Sequence, residues 1–290
     1  MYNCSTIACV VLNYNDALQT REFVQSISQY NTIDSIIIVD NCSTDNSADV
    51  LKQITDRKIH LFVTERNGGY GFGNNFGVSI AKSIFCSDYV LICNPDVRFE
   101  EKLIKSVISA FSLSGKIALV SALQINGYNG EKIKNYAWSI PTYWGYLRSS
   151  LIILNRICSK RMNKNNKRIE RVDCVPGAFL AIDVNKFIES GGYDERIFLF
   201  CEESTLGFRL KKHGYYSVVL KNISYYHYHS TSIKKSIPKE MIRHKMVLSS
   251  RMFYIKNYLH SSVFGIILAK IVFGISAFEY GLLCRYNKRK

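Results

Sequence analysis

The chain has 290 residues, of which 47% are hydrophobic and 21% charged, and its formal net charge is +15. This composition is ample for a folded core and is compatible with one or two domains. Nine cysteines are scattered without a CxxC pair, and the chain opens without a recognisable signal peptide. These features argue against a disulfide framework or a zinc site, and they favour a cytosolic protein with reduced thiols.

The basic surplus is concentrated in two parts of the chain. Residues 156–171 carry seven Lys or Arg against one Glu, and residues 234–290 carry twelve against two acids. Both parts adjoin or contain apolar and aromatic residues, which favours an anionic membrane surface over a nucleic-acid groove. We therefore expect an anionic membrane surface as a partner, and no nucleic acid.

Four short apolar runs alternate with helix-like segments in the first hundred residues. The runs are Ile7–Leu12, Ile36–Val39, Ile59–Val63 and Tyr89–Cys93. Apolar runs without alternation are typical of strands that are covered on both faces. The pattern predicts an α/β fold in which a mostly parallel, right-handed sheet is flanked by helices.

Polar side chains follow the ends of these strands. Asn13 and Asp40 end the first two, Asn67 follows the third, and Asp96 comes just after the fourth. The carboxyl ends of parallel strands share one edge of a sheet, where α/β proteins bind their ligands. The arrangement indicates a nucleotide-type ligand, although Asn-Pro-Asp at the fourth end is also ordinary turn chemistry.

Glycine and asparagine crowd residues 67–77, ahead of a helix that we predict over residues 78–85. The segment lacks the last glycine of a GxGxxG fingerprint, and it is not a GxxxxGK[ST] loop. Its glycines allow a close approach of the backbone to a ligand, and the following helix offers free N–H groups. A flexible loop is the alternative interpretation.

The second half of the chain begins with less regular patterns. After a helix over about residues 100–112 and a strand at 117–121, residues 126–135 indicate a loop or hairpin. Residues 136–157 are aromatic and apolar, which suits either a docking loop for a lipid-linked molecule or a surface insertion. Residues 172–182 are strand-like.

Two patterns near residues 200 and 230 carry candidate chemistry. A helix that Glu202 and Glu203 open and Gly214 closes would hold a carboxylate in half-apolar surroundings, where it could act as a general base. His227 and His229 alternate with tyrosines, so they would share one face of a strand. Such a pair suits a metal or a phosphate, although a structural role is common.

Taken in order, these motifs resemble the inverting family 2 glycosyltransferases of the GT-A fold, particularly the rhamnosyltransferase-like branch that builds bacterial surface polysaccharides. The resemblance spans roughly residues 5–232. The matching segments are Asn13-Tyr-Asn15, Asp40–Asp45, Asn67–Gly77, Asn94-Pro-Asp96, Pro176-Gly-Ala178, Gly191–Glu195, Glu202-Glu203 and His227–Ser232.

The resemblance implies a role for each of these segments. The expected donor-binding residues are Asn13, Asp40, Asn67, Gly69, Tyr70, Gly73, Asn75 and Asn94. The expected acceptor-binding residues are Gly177, Ala178, Asp194, Glu195 and Glu202. Asp96 and His227 would hold Mg²⁺ or Mn²⁺, and Glu203 would be the catalytic base with Asp194 in reserve. The chain departs from the family pattern at Asn94, Glu203 and Thr205, where the family usually has Asp.

The resemblance also implies the reaction. We expect an inverting transfer of a sugar, preferably rhamnose from dTDP-rhamnose, to an oligosaccharide linked to polyprenyl diphosphate, in the synthesis of O-antigen, capsule or exopolysaccharide. The alternatives are the same reaction with a UDP-hexose donor, or a non-catalytic homologue that binds sugar nucleotides.

The carboxyl end is the last distinctive region. Residues 263–284 are mostly apolar, with Lys270 and Glu279 inside the run and four basic residues after it. We predict a helix that lies in the membrane interface, with a single span or a helix packed on the catalytic domain as alternatives. The expected organisation is a GT-A domain over residues 1–235, divided near residue 125 into donor and acceptor halves (1–125 and 126–235), and a helical membrane-associating extension over residues 236–290. The expected location is the cytoplasmic face of the inner membrane.

Overall fold

A computed structural model describes residues 5–152, 167–228, 237 and 239–287 of the chain. The strands are β1 (Ile7–Asn13), β2 (Ser35–Asp40), β3 (Ile59–Val63), β4 (Tyr89–Cys93), β5 (Val97–Arg98), β6 (Ile117–Asn126), β7 (Ile169–Val172), β8 (Phe179–Asp183) and β9 (Tyr216–His227). The helices are α1 (Ala17–Ser28), α2 (Ser47–Lys52), α3 (Tyr70–Ser83), α4 (Glu101–Ala110), α5 (Tyr143–Ser150), α6 (Val184–Glu189), α7 (Glu202–Lys212), α8 (Glu240–Asn257) and α9 (Val263–Asn287).

All of these strands belong to one mixed sheet with the order β3-β2-β1-β4-β8-β6-β9-β5, and β7 pairs with β9. The first four strands are parallel, as predicted, and their register aligns Asn13 with Asp40 and Asp40 with Val63. Strand β8 runs antiparallel between β4 and β6. The predicted α/β class with helices flanking the sheet is therefore confirmed.

The sheet is covered on both faces, which explains the unbroken apolar runs. Every residue of β2 is buried, and β1 and β4 are almost completely buried. Helices α1 and α4 pack on one face, whereas α3, α6 and α7 contribute to a second cluster on the other. Because neither face meets water, alternation of polar and apolar residues is not required.

The prediction for residues 67–77 was wrong in one respect: α3 begins at Tyr70 and runs through most of the Gly-rich segment. A Cβ on Gly73 would lie 2.2 Å from a methyl carbon of Leu12, and one on Gly77 would lie 2.4 Å from Val10. The glycines thus let α3 pack closely on β1. That packing outweighs their low intrinsic helix propensity.

Smaller differences concern the boundaries in the second half. The strand predicted to end at 121 continues to Asn126, and the strand-like stretch 172–182 divides between the end of β7 and most of β8, with a turn between them. The aromatic stretch 136–157 contains α5, while its last residues lie outside the described part of the chain, as does most of the basic run 156–171. His229 also lies outside the described residues.

A third apolar cluster joins the C-terminal helices to the rest of the molecule. Tyr146 of α5, Tyr254 of α8 and Phe273 of α9 are among its buried members, and Phe208 of α7 packs against it. The division into catalytic domain and C-terminal extension stays a prediction. None of the seven cysteines within the described residues forms a disulfide.

Candidate active site

A cleft of about 830 Å³ opens at the carboxyl ends of the parallel strands. The polar residues that line it near the strand ends include Asn13, Asn41, Asn67, Tyr70, Asn94, Asp96 and His227. Its opposite side consists of the segment 198–200 and of residues from α8 and α9. A volume in this range is typical of sites for ligands of nucleotide size.

Asp40 lies behind the cleft and organises its floor. The carboxylate is buried and accepts hydrogen bonds from Asn13 Nδ2 at 2.7 Å, Ser43 Oγ at 2.7 Å and the Ser43 backbone N–H at 2.9 Å. Asn13 in turn accepts a hydrogen bond from Thr20 Oγ1 at 2.8 Å. Asn13 lines the cleft, whereas Asp40 is not among the described lining residues. The expected role of Asp40 in donor binding stays a prediction.

Asn41 connects the strand ends to the loop before α3. Its Nδ2 donates to Asn67 Oδ1 and to the Gly69 carbonyl, both at 3.0 Å, and its Oδ1 accepts from Thr64 at 3.2 Å. This residue is missing from the predicted site, although it directly follows Asp40 at the end of a buried strand. The position after a strand end was the signal that could have found it.

Gly69 and Tyr70 bring this loop against the other side of the cleft. Gly69 has φ +90°, and Tyr70 donates its backbone N–H to the Phe198 carbonyl at 3.1 Å. Gly73 and Asn75 lie elsewhere: Gly73 packs on Leu12, and Asn75 donates to the Tyr193 carbonyl at 3.0 Å. Neither is a lining residue of the described cleft, so their proposed part in donor binding stays a prediction.

Asp96 and His227 meet in the lining of the cleft. Strands β5 and β9 pair so that Val97 is opposite His227. The His227 Nε2 lies 3.0 Å from Asp96 Oδ2, and its Nδ1 lies 2.8 Å from Gln124 Nε2. The Tyr225 hydroxyl donates to Gln124 Oε1 at 3.2 Å. His227 Nε2 can bind a cation only in the tautomer that carries the proton on Nδ1, and a turn of the Gln124 side-chain amide would let its Oε1 accept that proton.

This pair suits a divalent cation. A carboxylate oxygen and an imidazole nitrogen side by side in a cleft are ligands that Mn²⁺ or Mg²⁺ accepts, with oxygens of a bound diphosphate completing the set. The described residues contain no group of three or more His, Cys, Asp or Glu that could hold a metal by themselves. Asn94 lies beside Asp96, and its backbone N–H donates to the Ala178 carbonyl at 2.9 Å.

Glu202 and Glu203 begin α7 immediately after two residues with positive φ, Phe200 and Cys201. Glu203 Oε1 accepts from the Gly177 backbone N–H at 3.3 Å, and the Gly177 carbonyl accepts from Tyr70 at 2.6 Å. Glu203 therefore lies beside Tyr70, but it is not itself among the described lining residues.

Burial raises the pKa of both glutamates. Glu202 is almost completely buried, its Oε1 has no hydrogen-bond partner among the described residues, and the nearby charge of Glu203 raises its pKa further. Two like charges so close together in an apolar site are unfavourable. Glu202 is therefore the protonated member at neutral pH, and Glu203 is the one that ionises first.

Asp194 has a different environment from the one that a catalytic base needs. Its carboxylate accepts two hydrogen bonds from the Arg196 guanidinium, at 2.9 and 2.7 Å, and one from the Tyr258 hydroxyl at 2.7 Å. Burial raises the pKa of Asp194, but these hydrogen bonds outweigh it and lower the pKa to about 2. Such a carboxylate is a weak base. Glu195 accepts from Asn75 at 2.9 Å, so both acids tie neighbouring segments together.

The largest omission from the predicted site is on the side of the cleft formed by the C-terminal helices. Four residues there carry polar groups or an aromatic ring: Glu240, Arg243, His244 and Tyr280. We call them the distal wall. Their sequence gives no motif, and only the fold brings α8 and α9 to the cleft.

Comparison with known proteins identifies the family. Residues 8–183 match the sequence profile of glycosyl transferase family 2. The N-acetylglucosaminyl-diphospho-decaprenol L-rhamnosyltransferase of Mycobacterium tuberculosis is 25% identical over 240 residues, which cover 77% of this chain and 76% of that protein. The rhamnosyltransferase WbbL of Escherichia coli K12 is 24% identical over 220 residues, covering 70% of this chain and 81% of that one.

Solved structures share the fold. GalNAc-T7 with UDP, GalNAc and Mn²⁺ superimposes with a TM-score of 0.60 and 17% identity, over 78% of this chain and 44% of that one. The mannosyltransferase PcManGT of Pyrobaculum calidifontis, with GDP-Man and Mn²⁺, superimposes with a TM-score of 0.57 and 12% identity, over 96% of this chain and 75% of that one. The fold is thus GT-A, as predicted. The chain belongs to glycosyl transferase family 2 and is a glycosyltransferase similar to bacterial rhamnosyltransferases.

Proposed function

We propose that this glycosyltransferase moves a sugar, with rhamnose from dTDP-rhamnose as the preferred donor, to a lipid-linked saccharide with inversion at the transferred carbon. The observation that carries the proposal is the meeting of Asp96 and His227 in a nucleotide-sized cleft. The similarity to two rhamnosyltransferases supports the sugar, and the name of the mycobacterial relative supports an acceptor linked through diphosphate to a polyprenol.

In this proposal the strand ends bind the nucleotide, and Asp96 with His227 holds the cation. A bound Mg²⁺ or Mn²⁺ supplies positive charge that stabilises the departing diphosphate. Gln124 and Tyr225 orient His227, and through it Asp96, by the hydrogen-bond chain described above. Fixed orientation lowers the reorganisation that metal binding requires.

Glu203 is the proposed base that takes the proton of the acceptor hydroxyl. Burial raises its pKa, which makes its carboxylate a stronger base than an exposed one. Glu202 supports this function because its protonated form leaves the negative charge on Glu203. Asp194 is less suitable, since its low pKa and its ion pair with Arg196 hold the carboxylate away from proton transfer.

The donor and the metal can be tested in one screen. Purified protein is incubated with dTDP-rhamnose and UDP-hexoses, with Mg²⁺ or Mn²⁺, and with N-acetylglucosaminyl diphosphate on a short isoprenoid as the acceptor probe. We expect metal-dependent transfer that Asp96→Ala abolishes and that the exposed control Asp49→Ala retains. Absence of donor binding and of transfer in the parent protein would refute the proposal.

The base assignment has its own test. Glu203→Gln keeps the shape of the side chain and removes its charge, so we expect donor affinity to stay and transfer to fall by about a hundredfold or more. Asp194→Asn serves as the comparison. We expect it to reduce transfer less than Glu203→Gln does, and only in proportion to its loss of stability. Undiminished transfer by Glu203→Gln would assign the proton transfer to another group.

The proposed location is the anionic inner membrane surface, and the outer face of α9 supports it. By length and composition α9 could cross a membrane, yet one side of it is fixed to α5. The Tyr143 hydroxyl donates to the Gly265 carbonyl at 2.7 Å, and Ser276 Oγ donates to the Ser150 carbonyl at 2.7 Å. Since these contacts hold α9 along the body of the protein, we favour a helix that lies in the membrane interface over a span.

The exposed side of α9 is mostly apolar, and the exposed Lys270 and Arg285 are its charged residues. Residues spaced three or four apart form one stripe, and each is at least 47% exposed: Val263, Ile267, Ile271, Ile275, Phe278, Leu282 and Tyr286. Residues at this spacing share a helix face, and an apolar face with basic residues near it is typical of interfacial helices. Trp144, which is 68% exposed, neighbours the Tyr143 that anchors the start of α9.

Vesicle flotation tests this location. The parent protein should float with vesicles that contain phosphatidylglycerol, and less with purely zwitterionic ones. The double variant Ile271→Glu, Phe278→Glu should remain in solution, whereas the control Leu18→Glu, on an equally exposed apolar residue of α1, should float like the parent. Flotation of the double variant would contradict an interfacial α9.

A further inference from the structure

The distal wall of the cleft contains a histidine, His244, whose Nε2 is fixed as a hydrogen-bond donor by its neighbours. His244 Nε2 lies 3.1 Å from Ser276 Oγ, and the Ser276 hydroxyl donates its hydrogen to the Ser150 carbonyl at 2.7 Å. A hydroxyl that has given its hydrogen elsewhere can only accept. His244 therefore donates from Nε2, and in the neutral ring its Nδ1 keeps a lone pair.

The ring of His244 is held in place as well. It stacks on Tyr280 with a centroid separation of 4.2 Å and an interplanar angle of 8°. Burial lowers the pKa of His244, the hydrogen bond with Ser276 raises it, and the charge of Arg251 lowers it again, so that the net shift is downward. The ring is thus neutral at physiological pH, and it offers a hydrogen-bond acceptor and not a positive charge.

The other polar groups of the distal wall do not create an anion site. Glu240 is a carboxylate, and its Oε1 lies 3.8 Å from the Arg243 guanidinium, which also donates to the Ile237 carbonyl. One negative and one positive group with a neutral imidazole give no cationic surplus. A diphosphate or a phosphate needs clustered donors or positive charge, which these residues do not provide.

The chemistry suits hydroxyl groups instead. A sugar hydroxyl donates to an acceptor nitrogen or to a carboxylate, and it accepts from a guanidinium. Apolar side chains of Phe198, Phe200 and Val247 line the same part of the cleft and can cover the C–H faces of a sugar ring. Apolar walls with a few placed polar groups are the usual design of a site that fixes the orientation of a small molecule.

We propose that the distal wall binds the saccharide portion of the acceptor, and that His244 Nδ1 accepts a hydrogen bond from one of its hydroxyls. The inference rests on the proposed function, because it assumes that a sugar acceptor enters the cleft opposite the donor. It assigns acceptor recognition to α8 and α9, which lie outside residues 8–183 of the family match.

The test compares four variants, His244→Phe, His244→Gln, Arg243→Gln and His60→Phe, by their kinetics with the lipid-linked N-acetylglucosamine probe. His244→Phe keeps an aromatic ring that can stack on Tyr280 and removes the acceptor nitrogen. We expect the KM for the probe to rise about fivefold, the equivalent of one neutral hydrogen bond, while the dissociation constant for the donor stays the same. His244→Gln offers an amide oxygen and should recover part of the loss. The matched control is His60→Phe, since His60 stacks on Phe85 away from the cleft.

Each outcome distinguishes this inference from the proposed function. Transfer by the parent with an unchanged KM in His244→Phe overturns the inference and leaves the function intact. A rise in KM for Arg243→Gln without one for His244→Phe assigns the wall to an anionic group and also overturns it. Absence of transfer by the parent refutes the function itself. Circular dichroism and the melting temperature of each variant show whether it is folded.

Discussion

Gly69 offers the sharpest test of how the cleft is built. It precedes α3 with φ +90° and ψ −174°, a backbone region that is open essentially to glycine alone. A Cβ at this position would lie 2.0 Å from the Phe198 carbonyl oxygen and 2.7 Å from its Cα. The same carbonyl accepts the Tyr70 N–H, and Asn41 donates to the Gly69 carbonyl. The loop therefore cannot move away without losing both hydrogen bonds.

The change Gly69→Ala should lower the free energy of unfolding for these reasons. Backbone strain at such a position costs about 1–3 kcal/mol, and each lost hydrogen bond costs about 1 kcal/mol. The sum is roughly 3–5 kcal/mol. At about 2–4 °C per kcal/mol for chains of this size, the melting temperature should fall by roughly 10 °C. Because the displaced loop carries Asn67 and Tyr70, donor affinity should fall by about tenfold as well.

Differential scanning calorimetry and donor titration measure the two effects. Gly115→Ala is the matched control, since a Cβ on Gly115 meets no atom within 4 Å and its backbone is in an ordinary region. It should melt within about 2 °C of the parent and bind donor equally well. If Gly69→Ala behaves like Gly115→Ala, the close contact between the loop and Phe198 does not exist in solution.

Three further changes test individual groups. The pKa of Asp194 is lowered from 3.8 to about 2, so the carboxylate stabilises the fold above pH 4 and this stabilisation is lost as the pH falls toward 2. Asp194→Asn should therefore lower the free energy of unfolding by about 2 kcal/mol at pH 7. Urea unfolding should show that the difference in stability between parent and variant shrinks below pH 4. The pKa of Glu202 is raised from 4.5, so its ionisation destabilises the fold increasingly as the pH rises above that value. Glu202→Gln should therefore gain stability relative to the parent between pH 5 and 8. A difference in unfolding free energy that stays constant over this range would contradict the prediction. Gln124→Leu removes the hydrogen-bond partner of His227 Nδ1. The affinity for Mn²⁺, measured by isothermal titration calorimetry, should fall about tenfold. Unchanged affinity would show that the hydrogen-bond chain does not orient the metal ligands.

The sheet and the positions of the strand-end residues could be predicted from the sequence because they follow from local rules. Buried parallel strands have unbroken apolar runs, and polar residues at their carboxyl ends meet at one edge. Asn13 and Asp40 are neighbours in the register for this reason, and Asp96 reaches the same cleft. The direction of each side chain is not a local property. Asp40 ends a strand as predicted, yet its carboxylate turns toward Asn13 and Ser43.

Features that depend on packing between distant segments were beyond sequence patterns. The glycines of α3 predict a loop by propensity, and only the close fit on Leu12 and Val10 makes them helical. The two glutamates of α7 look equivalent in the sequence, but burial of Glu202 without a partner makes it the neutral member of the pair. The distal wall has no motif, because its residues come together only when α8 and α9 fold back onto the cleft.

Helix α9 connects the proposed membrane contact with the proposed acceptor wall. Its outer stripe is available to a membrane, and its inner side supplies Tyr280 to the cleft and Ser276 to His244. Under both proposals the sugar of the acceptor enters the cleft while its lipid tail stays in the bilayer, and a helix with these two faces would lie where the two environments meet. Removing α9 would therefore remove the acceptor wall together with the membrane contact. Substitutions can separate them, because Phe278 and Tyr280 point to different sides of the same helix: one is 69% exposed, and the other stacks on His244.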